Sequence, residues 1–139
     1  MKNSCVFCTD KIIKRKIGEG KHSFAILSNP KLVAGHILII PKRHVQLFSD
    51  LKKEEVLEMF KFLSFYQDKV LQVLSKGTEI RQNYRPFKKD SSTHVNHFHF
   101  HILPRDDEDE LAKKVDVHRK PFYVKLKEME REKITKLLK

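Results

Sequence analysis

Cysteine is scarce in this chain: there are two in 139 residues, both close to the start as Cys5 and Cys8. That excludes the disulfide framework that staples small secreted domains. No apolar run reaches the length of about 18 residues that a membrane-spanning helix needs. The first residues also lack the continuous apolar segment of a secretory leader. A cytoplasmic location without membrane attachment is the resulting expectation. Internal repeats, low-complexity segments and linkers are missing too. A single domain over 1–139 is expected, long enough to bury about two-thirds of its unfolded surface. Its 40% hydrophobic content, with ten Phe, supplies a core. Negative charge is in short supply: 18 Asp and Glu face 29 Lys and Arg, a net +11. Such a balance favours phosphate-bearing partners, from nucleotides to nucleic acid, but names no site. Much of it is Lys at spaced positions, as on a solvated face.

Against this background one stretch stands out, His97-Phe98-His99-Phe100-His101-Ile102-Leu103. Successive side chains of a β-strand point to opposite faces, so His97, His99 and His101 would share one face about 7 Å apart. Phe98, Phe100 and Ile102 would share the other and enter the core. Pro104 is expected to end the strand at Leu103-Pro104-Arg105, because proline cannot donate to a ladder. One histidine on a half-exposed strand would be unremarkable filler, but three in register among eight in the chain point to chemistry. Imidazole titrates near neutrality, binds metals and can act as a nucleophile.

The rest of the chain frames that strand. Residues 1–22 hold the cysteine pair, then a basic stretch read as a short helix or turn plus an early strand. Ser23–Leu27 and His36–Ile40 read as strands, the second closed by Pro41 and the two forming an antiparallel pair. Over 52–75, Val56, Met59, Phe60, Leu63, Tyr66, Val70, Val73 and Leu74 keep helical spacing, with Ser49 or Asp50 as cap and Gly77 just beyond the end. Glu79–Tyr84 reads as a strand and Arg85–Ser92 as a loop. Asp106–Glu110 is an acidic helix start or loop, and 122–138 an amphipathic C-terminal helix. The sum is an α+β domain with a mainly antiparallel sheet of about five strands. Cys5-x-x-Cys8 lacks the preceding strand of a redox motif and reads better as half of a zinc site, with free thiols as the plain alternative.

These residues resemble the histidine triad (HIT) family. HFHFHIL followed by Pro-Arg is similar to its alternating His signature, and AGHILIIPKRHV at 34–45 to its Gly-His strand ending in a Pro-Lys-x-His turn. The likeness spans about residues 5–105 and implies a HIT-like fold, with 1–22 as a zinc-associated segment and 106–139 as a C-terminal extension. It implies an enzyme acting at the α-phosphate of dinucleoside polyphosphates or nucleoside phosphoramidates, with His99 as the nucleophile forming a nucleotidyl-histidine. His101 would then contact phosphate or assist proton transfer, and His36 would lie beside the nucleophile. In the branch with an N-terminal C-x-x-C, the resemblance implies a structural zinc held by Cys5, Cys8, His44 and His97. It also implies an adenine-containing nucleotide as substrate and a homodimer.

The chain departs from the family pattern at three places. Ser28, with Asn29 beside it, stands where the ribose-binding position usually carries Asp or Asn. Thr93 occupies the Gln position of the segment before the triad, followed by His94. Asn83 matches the upstream phosphate-contacting Asn, with Gln82 as rival. The altered ribose and pre-triad positions and the +11 charge motivate an alternative, a non-catalytic nucleotide or nucleic-acid binding module on the same fold. A nucleic-acid partner is not favoured, since the chain carries no separate DNA-binding motif.

Overall fold

The computed structural model describes residues 5–115 and 123–139. The chain falls into two compact units, Met1–Asp109 and Glu110–Lys139. The first is built on a five-stranded antiparallel sheet: β1 (Lys16–Glu19), β2 (Ser23–Leu27), β3 (Ile37–Pro41), β4 (Gly77–Gln82) and β5 (Phe100–Arg105), ordered β1-β2-β3-β5-β4. The helix α1 (Lys53–Val73) joins β3 to β4. In the second unit lie α2 (Glu110–Val115) and α3 (Glu128–Leu138). An α+β fold with a mainly antiparallel sheet, one long helix and a C-terminal helix is thus what the chain forms. No helix among the described residues is long and apolar enough to cross a membrane.

Strand alternation divides the core into two layers. Ala25, Ile37, Ile39, Phe98, Phe100 and Ile102 pack with Met59, Leu63 and Val70 of α1, residues spaced at helical intervals along one stripe. Phe24, Ile26, Leu38 and Ile40 face the other way and are covered by Cys5, Phe7 and Ile12 from the N-terminal segment, which winds through two 3-10 turns, Val6–Cys8 and Asp10–Arg15. The histidines of the triad alternate with Phe98, Phe100 and Ile102 and so belong to this second side. Of the expected helical stripe, Phe60, Val73 and Leu74 stay largely exposed.

Several boundaries differ from expectation. Regular pairing of the histidine strand begins only at Phe100, so His97 and His99 sit in the segment leading into β5 rather than in the ladder. Pro104 does not stop the strand; it pairs with Thr78, and β5 runs to Arg105. Pairing with β3 stops at Ile102, so Pro104 has no ladder partner there and its missing donor is tolerated. Ser49 and Asp50 do not cap α1 but lie in a separate 3-10 turn, Phe48–Asp50. The helix begins after Lys52, whose N–H is taken back by Glu55 Oε2 at 2.8 Å. The C-terminal helix starts at Glu128, six residues later than its apolar pattern suggests; Phe122 lies outside the described residues.

Candidate active site and metal cluster

Hydrogen bonds fix the proton positions of the histidines. The backbone N–H of Leu32 donates to His36 Nδ1 at 3.2 Å, so neutral His36 carries its proton on Nε2. That nitrogen lies 2.9 Å from His101 Nδ1, which therefore accepts, leaving the His101 proton on Nε2. His99 Nδ1 is 2.6 Å from the carbonyl oxygen of His97. Only a protonated Nδ1 can make that bond, so His99 Nε2 holds a free lone pair. The His99 and His101 rings meet at 4.7 Å between centroids, and Phe7 stands edge-on to His99 at 5.3 Å.

Burial sets the electrostatics of this cluster. It pushes His36 down to about 4, and repulsion from a protonated His99 and from Arg81 acts in the same direction. Burial pushes His101 down to about 3, followed by His99, His36, Arg81 and Arg85. His99 is held below its ordinary value by burial, against the opposing bond to the His97 carbonyl. Desolvation disfavours the charged imidazolium, so the cluster is a set of neutral imidazoles.

The metal-type residues converge beside it. His97 Nε2 donates to the Pro41 carbonyl at 2.8 Å, which turns its Nδ1 lone pair toward Cys5 Sγ at 3.4 Å and Cys8 Sγ at 3.6 Å. Cys8 Sγ is 3.4 Å from His44 Nδ1. One donor atom from each of Cys5, Cys8, His44 and His97 lies within 4.8 Å of the others, an arrangement that could hold a metal ion. Burial pushes the Cys5 thiol up to about 11. Residues 92 apart in sequence, Cys5 and His97, are thereby brought together.

The four expected nucleotide-contacting residues are more scattered. Ser28 donates its N–H to the His36 carbonyl at 2.8 Å, which puts it beside the histidines, but its hydroxyl is turned to the Pro30 carbonyl at 2.8 Å. Asn29 is exposed. Asn83 is exposed just past β4 and accepts from Arg85 Nη2 at 3.4 Å. Thr93 bonds within its own turn to Ser91. Sequence reasoning missed Arg81, which pairs with His101 across β4 and β5, and Phe7. The signal for Arg81 was its alternation with Glu79 along β4, but its facing partner depends on strand order.

A model of the HIT domain matches residues 9–108, so the chain belongs to the HIT family. It is similar to the adenosine 5'-monophosphoramidase of Saccharomyces cerevisiae, 31% identical over 76% of this chain and 65% of the relative. The bis(5'-adenosyl)-triphosphatase of Dictyostelium discoideum is likewise 31% identical, over 79% of this chain and 74% of the relative. Among solved structures, a zinc-bound histidine triad family protein from Mycobacterium smegmatis superposes with a TM-score of 0.65 at 26% identity, covering 84% of this chain and 86% of that one.

Proposed function

We propose that this protein is a hydrolase or transferase of nucleotides that cleaves at the α-phosphate through a covalent histidine. The observation that carries the reading is the bond from His99 Nδ1–H to the His97 carbonyl, 2.6 Å, which fixes the imidazole with Nε2 unprotonated. A neutral, oriented imidazole is a competent nucleophile at pH 7. The Nε2 lone pair forms the N–P bond while the bond from phosphorus to the leaving group breaks and its electron pair departs with that group. Water then attacks phosphorus, the pair of the N–P bond returns to Nε2, a proton passes to solvent, and the nucleoside monophosphate leaves. His101, with its proton on Nε2, donates to a non-bridging oxygen. His36 holds His101 in that tautomer. Two named relatives act on adenosine phosphoramidate and diadenosine triphosphate bonds, which supports an adenine nucleotide as substrate.

For the cysteine–histidine cluster the reading is structural zinc. Bond lengths of about 2.3 Å to sulfur and 2.0–2.1 Å to nitrogen put tetrahedral S···N edges near 3.6 Å. The observed 3.4, 3.4 and 3.6 Å fit that figure. Cys5, Cys8, His44 and His97 fill all four positions, so the ion would tie the N-terminal segment to the histidine strand rather than activate water. Ser28, Asn29, Asn83 and Thr93 are read as nucleotide contacts, Ser28 after its hydroxyl leaves Pro30.

The test is turnover of diadenosine triphosphate and adenosine 5'-phosphoramidate by the wild type and by His99→Ala. Release of AMP by the wild type alone, with acid-quenched protein carrying the adenylyl group, is the expected result. Nucleotide binding by both proteins without turnover by either would instead favour the binding module.

A further inference from the structure

We infer that the leaving group this site is built to accept is itself a phosphate chain, received by Arg81 and Arg85, rather than an amine. The inference rests on the hydrolase reading above and specifies its substrate class.

Arg81 is the Cα partner of His101 in the antiparallel β4–β5 pair, and directly opposed residues of such a pair share a face with Cβ atoms about 5 Å apart. Arg81 therefore rises from the sheet beside the imidazole that neighbours the nucleophile. Of its guanidinium, Nη2 is shared with Glu79, at 3.1 and 3.3 Å. Nε and Nη1 bond to no described residue, and the side chain is 39% exposed. Glu79 is itself engaged by Arg105, which is also held by Asp109. Arg85 follows four residues later on the loop leaving β4, exposed, with a neutral partner in Asn83. The charges of both arginines reach His101 and that of Arg81 reaches His36.

That loop is ordered by the segment leading to the triad. Asp90 accepts the Asn96 N–H at 2.7 Å, and Asn96 Nδ2 donates to the Lys88 carbonyl at 3.1 Å. Arg85 and Lys88 thus lie on a loop anchored one residue before His97. Two guanidiniums, planar and always charged, suit the oxygens of a polyphosphate.

The chemistry of departure points the same way. When the leaving atom is the oxygen of a phosphate chain, the electron pair of the broken P–O bond stays on that oxygen as a stable anion. It needs no proton at pH 7, only cations to receive it. A departing amine needs a proton in the transition state. The hydrogen-bond order Leu32 N–H to His36 to His101 leaves both imidazoles neutral, so the pair offers no imidazolium to supply one readily. The site is better provided with cations than with acid.

The experiment compares kcat/KM for diadenosine triphosphate and adenosine 5'-phosphoramidate in the wild type, Arg81→Gln, Arg85→Gln and the double variant, with thermal melts to verify folding. The wild type should favour the triphosphate. Its kcat/KM for the triphosphate should fall at least tenfold further than that for the phosphoramidate in the double variant, the size expected for charge-assisted bonds. Equal falls on both substrates, or a wild type that prefers the phosphoramidate, would overturn the inference. Should the wild type cleave neither, the hydrolase reading fails and binding decides the arginines' role. Tighter binding of ATP than AMP, abolished in the double variant, retains the polyphosphate subsite; equal affinities remove it.

Discussion

Glu55 grips the guanidinium of Arg43 with both carboxylate oxygens, Oε1 to Nε at 2.6 Å and Oε2 to Nη2 at 2.9 Å, one residue before the metal-type ligand His44. Glu55 is buried, and it also accepts the Lys52 N–H that opens α1. Arg43 adds a bond to the Asp50 carbonyl at 2.8 Å. The start of the long helix and the loop carrying His44 are therefore one hydrogen-bonded unit. The bond to Arg43 holds the Glu55 carboxyl below its usual range. Its contribution to stability is therefore present above the unfolded carboxylate value and is lost as pH falls through the folded one. Glu55→Gln should weaken metal binding by loosening the loop that carries His44, by less than the roughly tenfold loss expected when a partner bonded directly to a ligand is removed. Competition with a chromophoric chelator measures this without any activity assay, and an unchanged affinity would show that His44 is oriented by other contacts.

Stability should also fall on the acid side because of the buried histidines. His36 and His101 are pushed down to about 4 and about 3, chiefly by burial, whereas an unfolded histidine titrates near 6.5. Below about 6.5 the unfolded chain therefore takes up protons that the folded chain refuses. The stabilisation is complete above that value and declines as pH falls toward 4 and then 3. Urea midpoints at pH 7.5 and 5, with metal content checked in each sample, should differ less in His101→Asn than in the wild type. An equal difference would mean that His101 is not held neutral.

The shared face of the three histidines was legible because strand side chains alternate, a property of local geometry alone. So were the long helix and the apolar set beneath it. Beyond the β2–β3 pair, which strands become neighbours was not legible. Nothing local says that β5 inserts between β3 and β4, and only that order sets Arg81 opposite His101. The donor chemistry of Cys5 and Cys8 could be read directly, whereas their meeting with His97, 92 residues away, came from resemblance rather than spacing. Ser28 makes a local contact that composition does not reveal. Its hydroxyl suits a ribose in composition, yet the tight turn at Pro30 offers a carbonyl two residues on that takes the bond.

On the covalent-histidine and structural-zinc reading proposed above, removing a metal from the cysteine–histidine cluster should loosen His99 without touching it. Phe7 lies between the two cysteines in sequence and packs edge-on against both His97 and His99, at 5.7 and 5.3 Å. Freeing Cys5 and Cys8 releases the segment that seats this ring. We expect one zinc per chain by elemental analysis. A melting temperature lower by at least about 5 °C after chelation or in Cys8→Ser corresponds to roughly 1–2 kcal/mol in a chain of this size. Phe7→Ala should retain the metal yet slow turnover. Full activity in Phe7→Ala would show that the ring has no part in holding His99.

The glycine of the Gly-His pair has a physical reason to be there. Gly35 has φ +78°, a left-handed conformation that costs other residues about 1–2 kcal/mol. A Cβ at this position would also stand 2.8 Å from Leu74 Cδ1 and 3.1 Å from Pro104 Cγ. Leu74 follows α1 and Pro104 belongs to β5, so this one bare backbone site lets the helix end and β5 close around the residue before His36. Gly35→Ala should therefore destabilise by more than the conformational term alone, more than about 2 kcal/mol by urea titration. It should also shift His36 and so disturb the bond it donates to His101. A variant that kept wild-type stability would mean that Leu74 and Pro104 move aside easily and that the backbone here relaxes to negative φ.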